Sequence, residues 1–248
     1  MQAEDWLMHP MAINRIIAHR GGAAYAPENT MTAFTTIASL GCSYIEFDVM
    51  LSADGVAFIC HDLSLNRTTN GIGQVGLVDS VYLRSLDAGS WFSPRFAGEK
   101  IPYLFELLQW LNTNHIGANL EIKPYPNTAI ITTETVLASI KSHWTRTDLP
   151  LVSSFNFEVL LLCHTKMSEL PLGLVMDGWD PNWLIKAQSI QCYSVHVSQW
   201  ALNRQRIQEI KNHGYIVLAY TVNRKHAAKR LFKLGVDAVF SDYPDLMN

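Results

Sequence analysis

Short apolar runs rich in β-branched residues alternate along the chain with longer amphipathic stretches, and this alternation constrains the fold most. Alternating strands and helices are typical of a parallel sheet, because each crossover needs a helix to return the chain. The predicted strands cover Ile16–His19, Tyr44–Leu51, Val56–His61, Gly117–Ile122, Leu151–Ser154, Leu172–Met176, Ser194–Val197, Tyr215–Thr221 and Ala238–Ser241. The predicted helices cover Thr30–Leu40, Tyr103–Asn112, Thr128–His143, Phe157–Met167, Pro181–Ala187, Asn203–His213 and Lys225–Leu234.

The number of these units favours a closed barrel over an open sheet. One connection explains why there is one strand more than the eight that such a barrel needs. Only Ser52-Ala53-Asp54-Gly55 separates two of the strands, which leaves no room for a helix and predicts an antiparallel β-hairpin. A barrel of this kind can take up a whole chain of this length. We therefore predict an α/β fold, a (β/α)8 TIM barrel that forms a single domain over residues 1–248.

A second irregularity runs from about residue 62 to residue 101. This stretch is rich in Gly, Ser, Thr and Asn, and it is too long for an ordinary barrel loop. The sequence therefore predicts a small inserted subdomain that follows the second strand region and covers part of one face of the barrel.

The composition excludes several classes of protein. The chain is 48% hydrophobic and 17% charged with a net charge of −3, which is globular and argues against a nucleic-acid partner. No apolar run approaches the roughly 20 residues of a membrane helix, and Met1–Asn14 lacks the apolar core of a signal peptide. Four scattered cysteines suggest reduced thiols. We expect a cytoplasmic protein without a membrane span, and the oligomeric state stays open.

Polar side chains cluster at the predicted carboxyl ends of the early strands. In a barrel these ends form one face, where the loops carry the chemistry. Acids are rare at buried strand positions unless they are paired or bind a metal. The candidate residues are His19, Arg20, Glu46, Asp48, His61, Glu121 and Lys123.

The spacing of the acids indicates a metal site. Glu46 and Asp48 are two residues apart, so on a strand they share one face, with their Cα atoms roughly 7 Å apart. If Glu121 converges on them, three carboxylates would repel one another unless a cation lies between them. An all-oxygen set suits Mg²⁺ or Ca²⁺, with Mn²⁺ also possible. The alternative is a buried salt-bridge cluster with Arg20 and Lys123.

Two histidines and two positively charged side chains suit chemistry at phosphorus. In-line displacement needs one group to accept a proton from the nucleophile and another to protonate the leaving alkoxide. His19 and His61 come from different strand ends and can flank one phosphorus, although each could instead be structural. Arg20 offers a planar fork for phosphate oxygens and Lys123 a compact charge. The residues do not determine which histidine is the acid.

Nine short motifs together resemble the glycerophosphodiester phosphodiesterases, over about residues 16–245. They are Ala18-His19-Arg20-Gly21-Gly22, Pro27-Glu28-Asn29-Thr30, Glu46-Phe47-Asp48-Val49, Asp54-Gly55, His61-Asp62, Arg67-Thr68-Thr69, Ile101-Pro102, Glu121-Ile122-Lys123 and Ser241-Asp242-Tyr243-Pro244-Asp245. Each motif alone is a weak signal for the family, but the order and spacing of all nine are specific for it.

The resemblance implies a phospholipase-C-like barrel enzyme that hydrolyses small glycerophosphodiesters to glycerol 3-phosphate and an alcohol. It implies that His19 and His61 are the acid–base pair and that Arg20 and Lys123 contact phosphate. It further implies one divalent cation, with three ligands: Glu46, Asp48 and Glu121. Two alternatives stay open. One is a lysophospholipase D-like or other phosphodiesterase on the same barrel, and the other is a catalytically silent barrel that binds a phosphorylated metabolite.

Other residues around the predicted site have less specific signals. Phe155 and Tyr220 follow strand ends and are predicted to line the alcohol side of the pocket. Tyr220 stands where the family usually has Trp. His196 also ends a strand, but a structural role is preferred. Glu28 and its neighbour Asn29 are predicted to fix their loop through backbone hydrogen bonds.

Overall fold

Eight parallel strands close into a barrel in the computed structural model, which describes residues 15–246. Strand β1 closes it, because β1 pairs with both β2 and β9. The strands are β1 Ile16–Ala18, β2 Tyr44–Leu51, β3 Ala57–Ile59, β4 Gly117–Ile122, β5 Leu151–Ser154, β6 Leu172–Met176, β7 Ser194–Ser198, β8 Ile216–Tyr220 and β9 Ala238–Ser241. All except β3 belong to the parallel barrel, which confirms the predicted fold. The prediction that Met1–Asn14 is not a signal peptide falls outside the described residues.

The helices surround the barrel. They are α1 Met31–Ser39, α2 Ser80–Ser85, α3 Leu104–Asn114, α4 Ala129–His143, α5 Phe157–Lys166, α6 Trp183–Ser189, α7 Arg204–Asn212 and α8 Lys225–Leu234. Helix α1 begins where the Thr30 hydroxyl accepts a hydrogen bond from the Ala33 amide at 3.2 Å, as expected of an N-cap threonine. The seven predicted helices are confirmed with shifts of at most two residues at either end. Helix α2 was not predicted.

The surplus strand is the return arm of a hairpin, as predicted. Strand β3 pairs antiparallel with the second half of β2, with Val49 opposite Ile59. Beyond β3 the Cys60 amide donates to the Asp48 carbonyl at 3.0 Å, so the chain stays bound to β2 as it turns. The strand is shorter than the predicted Val56–His61 and covers only Ala57–Ile59. His61 therefore lies two residues past the strand, and the bond of Cys60 to Asp48 brings it close to Asp48 of β2.

Strand alternation on β2 decides which side chains enter the barrel. Ile45, Phe47 and Val49 belong to the large apolar core between the strands and the helices. Successive side chains of a strand point to opposite faces. Glu46 and Asp48 therefore point into the barrel, although the whole strand is buried.

The same alternation on β4 adds two polar side chains to the interior. Asn119 and Glu121 alternate with residues of the outer core, and the parallel register places them beside Glu46 and Asp48 respectively. Below this polar layer, the strands contribute an apolar cluster that includes Ile17, Tyr44, Leu151, Ile216, Leu218, Ala238 and Phe240. The carboxyl end of the barrel interior is thus polar and the opposite end apolar.

The predicted insertion packs against the hairpin. Residues 62–101 contain α2 and two single 3-10 turns, and their apolar side chains form a second core with residues of β2 and β3. This second core contains Met50, Phe58, Cys60, Leu65, Val75, Leu83, Leu86, Ala88 and Ile101. That the chain forms a single domain stays a prediction.

Two glycines allow a tight turn between β1 and α1. The chain leaves β1 through a 3-10 turn at His19–Gly21, and Gly21 and Gly22 have φ angles of 78° and 75°. A Cβ atom on Gly22 would lie 2.4 Å from Cγ2 of Ile37. The turn therefore packs directly on α1 and fixes the position of His19.

We expect Gly22→Ala to lower the free energy of unfolding by about 1–3 kcal/mol, because it adds both a left-handed backbone strain and a steric overlap. Denaturant titration measures this change. Gly41→Ala is the matched control, since Gly41 has a φ of +79° but a Cβ atom added there would have no neighbour within 4 Å. Equal losses in the two variants would contradict a contribution from the overlap with Ile37.

Within residues 15–246, none of the helices combines the length and the apolar character needed to cross a membrane.

Candidate active site

A cavity of about 180 Å³ lies at the carboxyl ends of the strands. Eight of the nine predicted site residues line it. The exception is Lys123, whose Nζ atom nevertheless lies 3.6 Å from Oδ1 of Asp48. The remaining lining residues are Asn119, Val175, His196, Thr221 and Phe240.

Three carboxylates converge inside the barrel. Ligand oxygens of Glu46, Asp48 and Glu121 all lie within 4.8 Å of one another. The backbone amide of Arg20 donates to Oε2 of Glu46 at 2.8 Å, and the Asn29 side-chain amide donates to Oδ2 of Asp48 at 3.0 Å. The loop after β1 thus holds two of the acids in place.

Burial and mutual repulsion make this cluster costly to ionise. Burial, followed by the charges of Asp48 and Glu121, raises the pKa of Glu46 well above its usual range. Burial and the charge of Asp48 raise the pKa of Glu121 to about 8. Burial also raises the pKa of Asp48, but the charges of Lys123, His61 and Arg20 and the hydrogen bond from Asn29 together outweigh it and leave that pKa below its ordinary value. Asp48 is therefore the acid that ionises first.

The acidic cluster fits a hard divalent cation. Oε1 of Glu121 is buried and has no hydrogen-bond partner, although a buried carboxylate oxygen normally has one. A cation between the three acids would coordinate that oxygen and remove the repulsion that raises their pKa values. The donor atoms are all oxygens, which suits Mg²⁺, Ca²⁺ or Mn²⁺.

His19 is held by an aspartate from the far end of the chain. Its Nδ1 atom lies 2.7 Å from Oδ1 of Asp242. Asn223 donates to Oδ2 of Asp242 at 2.6 Å and accepts from its backbone amide at 2.9 Å. Burial raises the pKa of Asp242, but the hydrogen bonds from His19 and Asn223 and the charges of His19 and Arg20 together outweigh it, so that the pKa is lowered. The aspartate is thus an anion with a fixed orientation.

His61 has an equivalent partner in the next residue. Its Nδ1 atom lies 2.6 Å from Oδ1 of Asp62, and Arg67 donates to the other carboxylate oxygen at 2.6 Å. The hydrogen bond from Arg67 is the main cause that lowers the pKa of Asp62. Burial lowers the pKa of His61, which favours its neutral ring.

The two histidine–aspartate pairs set the chemistry of both rings. An ionised carboxylate only accepts hydrogen bonds, so each Nδ1 carries the proton of its bond. This leaves Nε2 of His19 and of His61 as the atoms that can gain or lose a proton.

Arg20 lies between the acids and the loop after β1. Its backbone is left-handed, with a φ of 50°. Nη1 donates to Oε1 of Glu28 at 2.9 Å, whereas the buried Nε has no hydrogen-bond partner and lies 3.7 Å from Oδ2 of Asp48. The prediction that Glu28 fixes its loop through backbone bonds is wrong for its carboxylate, which binds the side chains of Arg20 and Arg67.

The later strands provide the apolar wall of the cavity. The Phe155 and Tyr220 rings meet edge to face with centroids 6.0 Å apart. Phe155 is 49% exposed, so it forms part of the cavity rim. His196 is buried below, and its Nε2 lies 2.8 Å from the Ser194 hydroxyl. Burial lowers the pKa of His196 to about 3, which keeps its ring neutral.

The polar residues around the site that the sequence reasoning missed include Asp62, Arg67, Asn223 and Asp242. Asp242 lies within one of the nine motifs, but nothing in the sequence pairs it with His19, which is 223 positions away. For Asp62 a local signal did exist, because this residue directly follows His61.

The barrel and its site define a TIM-barrel phosphoric diester hydrolase. The model of the glycerophosphoryl diester phosphodiesterase family matches residues 19–246, and the chain belongs to that family. This confirms the predicted family and enzyme class.

Individual relatives are similar over nearly the whole chain. The glycerophosphodiester phosphodiesterase of Caldanaerobacter subterraneus is 33% identical, with 94% of this chain and 95% of the relative covered. That of Bacillus subtilis is 31% identical, with coverage of 94% and 84%. A solved Oleispira antarctica phosphodiesterase, in complex with the product sn-glycerol-3-phosphate, superposes with a TM-score of 0.90 at 36% identity and covers 92% and 93% of the two chains.

Proposed function

We propose that this chain hydrolyses glycerophosphodiesters to glycerol 3-phosphate and an alcohol, with the help of one divalent cation. The observation that carries the proposal is the arrangement around one cavity. Three acids, one of them with an unpaired buried oxygen, face two histidines whose Nδ1 atoms are both bound to aspartates. The names of the similar proteins, and the product in the Oleispira structure, support the same reaction.

In this proposal Glu46, Asp48 and Glu121 hold the cation. A bound cation stabilises negative charge on the nonbridging phosphate oxygens and increases the acidity of the attacking hydroxyl. Together with Arg20 and Lys123, the loaded site comes close to neutrality once a singly charged phosphodiester binds.

Arg20 and Lys123 bind the phosphate in this proposal. The Nε atom of Arg20 is a donor without a partner at the cavity, and a guanidinium matches the geometry of phosphate oxygens. Lys123 contributes a compact charge from beyond the cavity lining, where its Nζ lies near Asp48.

His19 and His61 transfer the protons. One ring accepts the proton of the nucleophile at Nε2, and the other donates a proton to the leaving alkoxide. Asp242 and Asp62 keep each ring in the required orientation and stabilise its charged form. Phe155 and Tyr220 form the wall against which the alcohol lies. We further propose that the chain is one domain and works in the cytoplasm.

The test is a substrate and metal panel. We expect chelator-treated protein to release glycerol 3-phosphate from glycerophosphocholine or glycerophosphoethanolamine only after Mg²⁺, Ca²⁺ or Mn²⁺ is added. Enzymatic detection of glycerol 3-phosphate measures the rate, and elemental analysis measures the bound metal.

Other outcomes would contradict parts of the proposal. Undiminished turnover in excess chelator, with no bound metal, would exclude the cation. Faster cleavage of lysophosphatidylcholine to lysophosphatidate would identify a lysophospholipase D. Calorimetric binding of glycerophosphocholine without turnover for any of the three metals would identify a silent binding barrel.

A further inference from the structure

An arginine of the insertion binds two acids that in turn hold residues of the active site. Arg67 lies in the segment 62–101, and its guanidinium binds two acids at once. Nη1 and Nη2 donate to the two carboxylate oxygens of Glu28 at 2.7 and 2.8 Å. Nε donates to Oδ2 of Asp62 at 2.6 Å. The bidentate pair with Glu28 has the geometry that is strongest for arginine and carboxylate.

Each of these two acids binds a second site residue. Oε1 of Glu28 also accepts from Nη1 of Arg20 at 2.9 Å. Oδ1 of Asp62 lies 2.6 Å from Nδ1 of His61. Arg67 therefore joins the segment after β1 to the segment after β3 through two carboxylates, and both joined segments carry residues that line the cavity.

Opposite charges hold Arg67 to Glu28 and Asp62. Burial raises the pKa of Glu28, but the hydrogen bonds and charges of Arg67 and Arg20 outweigh it and lower that pKa. Only 9% of the Glu28 side chain is exposed. Without Arg67, Glu28 would keep one cationic partner, and Asp62 would keep only the His61 ring as a side-chain partner within residues 15–246.

We propose that Arg67 is a positioning residue, which holds the His61 ring and the Arg20 guanidinium in a fixed relation across the cavity. The insertion is therefore part of the active site and not only a cover of the hairpin. This inference rests on the proposed function, because it assigns a role in that reaction to Arg67.

An exposed ion pair of no functional consequence is the competing explanation. The Arg67 side chain is 45% exposed, and exposed pairs contribute about 0–1 kcal/mol to stability. Stability therefore cannot separate the two explanations, whereas kinetics and the state of the His61 ring can.

The experiment compares Arg67→Met with a matched control in the same insertion. Arg84 makes a bidentate pair with Glu106 at 2.8 and 2.6 Å, and neither residue lines the cavity. We expect Arg67→Met to lower kcat by about 10- to 100-fold, as loss of outer partners does in metal sites, and to raise KM because Arg20 loses orientation. Arg84→Met should leave both constants unchanged.

A conservative variant and a spectroscopic readout complete the test. Arg67→Lys should recover only part of kcat, because one ammonium cannot bridge two carboxylates in the geometry of a guanidinium. Nitrogen NMR of ¹⁵N-histidine-labelled protein reports the tautomer of each ring. We expect the His61 signals, assigned by their loss in His61→Ala, to move toward a mixture of tautomers in Arg67→Met and to stay unchanged in Arg84→Met.

Two results would overturn the inference. The first is wild-type kcat, KM and His61 signals in Arg67→Met, and the second is a fall in melting temperature alone. If the wild-type protein hydrolyses no diester, the proposed function fails, while the NMR comparison still decides whether Arg67 positions His61.

Discussion

Replacing His61 with alanine is expected to lower kcat for glycerophosphocholine by about 10²- to 10⁴-fold, which is the range for loss of a general acid or base. His19→Ala should cause a loss of similar size, because the reaction needs both proton transfers. The two side chains are partly exposed, at 29% and 17%, so their removal should leave the fold intact. Steady-state kinetics at saturating cation measures the effect, and circular dichroism checks folding.

A diester with a p-nitrophenol leaving group separates the two roles. A phenolate departs without a proton, so the variant that lacks the acid should recover most of its rate on this substrate. The variant that lacks the base should stay slow. His226→Ala on the exposed surface of α8 serves as the control. Wild-type kcat in either His19→Ala or His61→Ala would contradict the assigned roles.

Glu121→Gln is expected to weaken cation binding by about 100-fold or more, since even outer partners of metal ligands change affinity by 10- to 100-fold. Activity at limiting cation should fall in parallel. The amide keeps the size of the side chain and removes its charge. Isothermal titration calorimetry with Mg²⁺, Ca²⁺ and Mn²⁺ measures the affinity in the absence of substrate.

In the cation-free protein, the same variant should make the melting temperature less dependent on pH. The pKa of Glu121 is raised to about 8, above its ordinary value, so its contribution to stability is greatest at low pH and is lost as the pH rises through about 8. In chelator, the wild-type melting temperature should therefore fall more between pH 6 and pH 9 than that of Glu121→Gln. Equal falls, together with equal cation affinity, would contradict the assignment of Glu121 as a ligand.

The barrel could be predicted from the sequence because its elements have local signals. Strand β2 alternates between two faces, and this period of two already placed Glu46 and Asp48 side by side. The four-residue turn before β3 likewise required a hairpin. Helix α2 was missed, because a helix of one and a half turns in a polar segment has no clear period.

The hydrogen-bond partners of the site could not be predicted, because they are tertiary. Asp242 meets His19 only when the last strand closes the barrel against the first. Arg67 binds Glu28 across 39 positions of sequence, and nothing in either local pattern indicates this pairing. The family resemblance identified the motifs, but it did not show which side chains form hydrogen bonds with the residues in them. Whether the nine predicted residues perform the assigned roles stays a prediction.

The order of the strands separates two kinds of contribution to the cavity. His19, Arg20, Glu46, Asp48, His61 and Glu121 all come from the first half of the chain, whereas Phe155 and Tyr220 come from the second. Loops after β5 to β7 can therefore change in length and sequence without moving the acids or the two rings, whereas the loop after β8 carries Asn223, which orients Asp242. Exchange of these loops between relatives offers a route to new alcohol preferences, and in the last quarter of the chain such exchange should keep Asp242 and its partner Asn223.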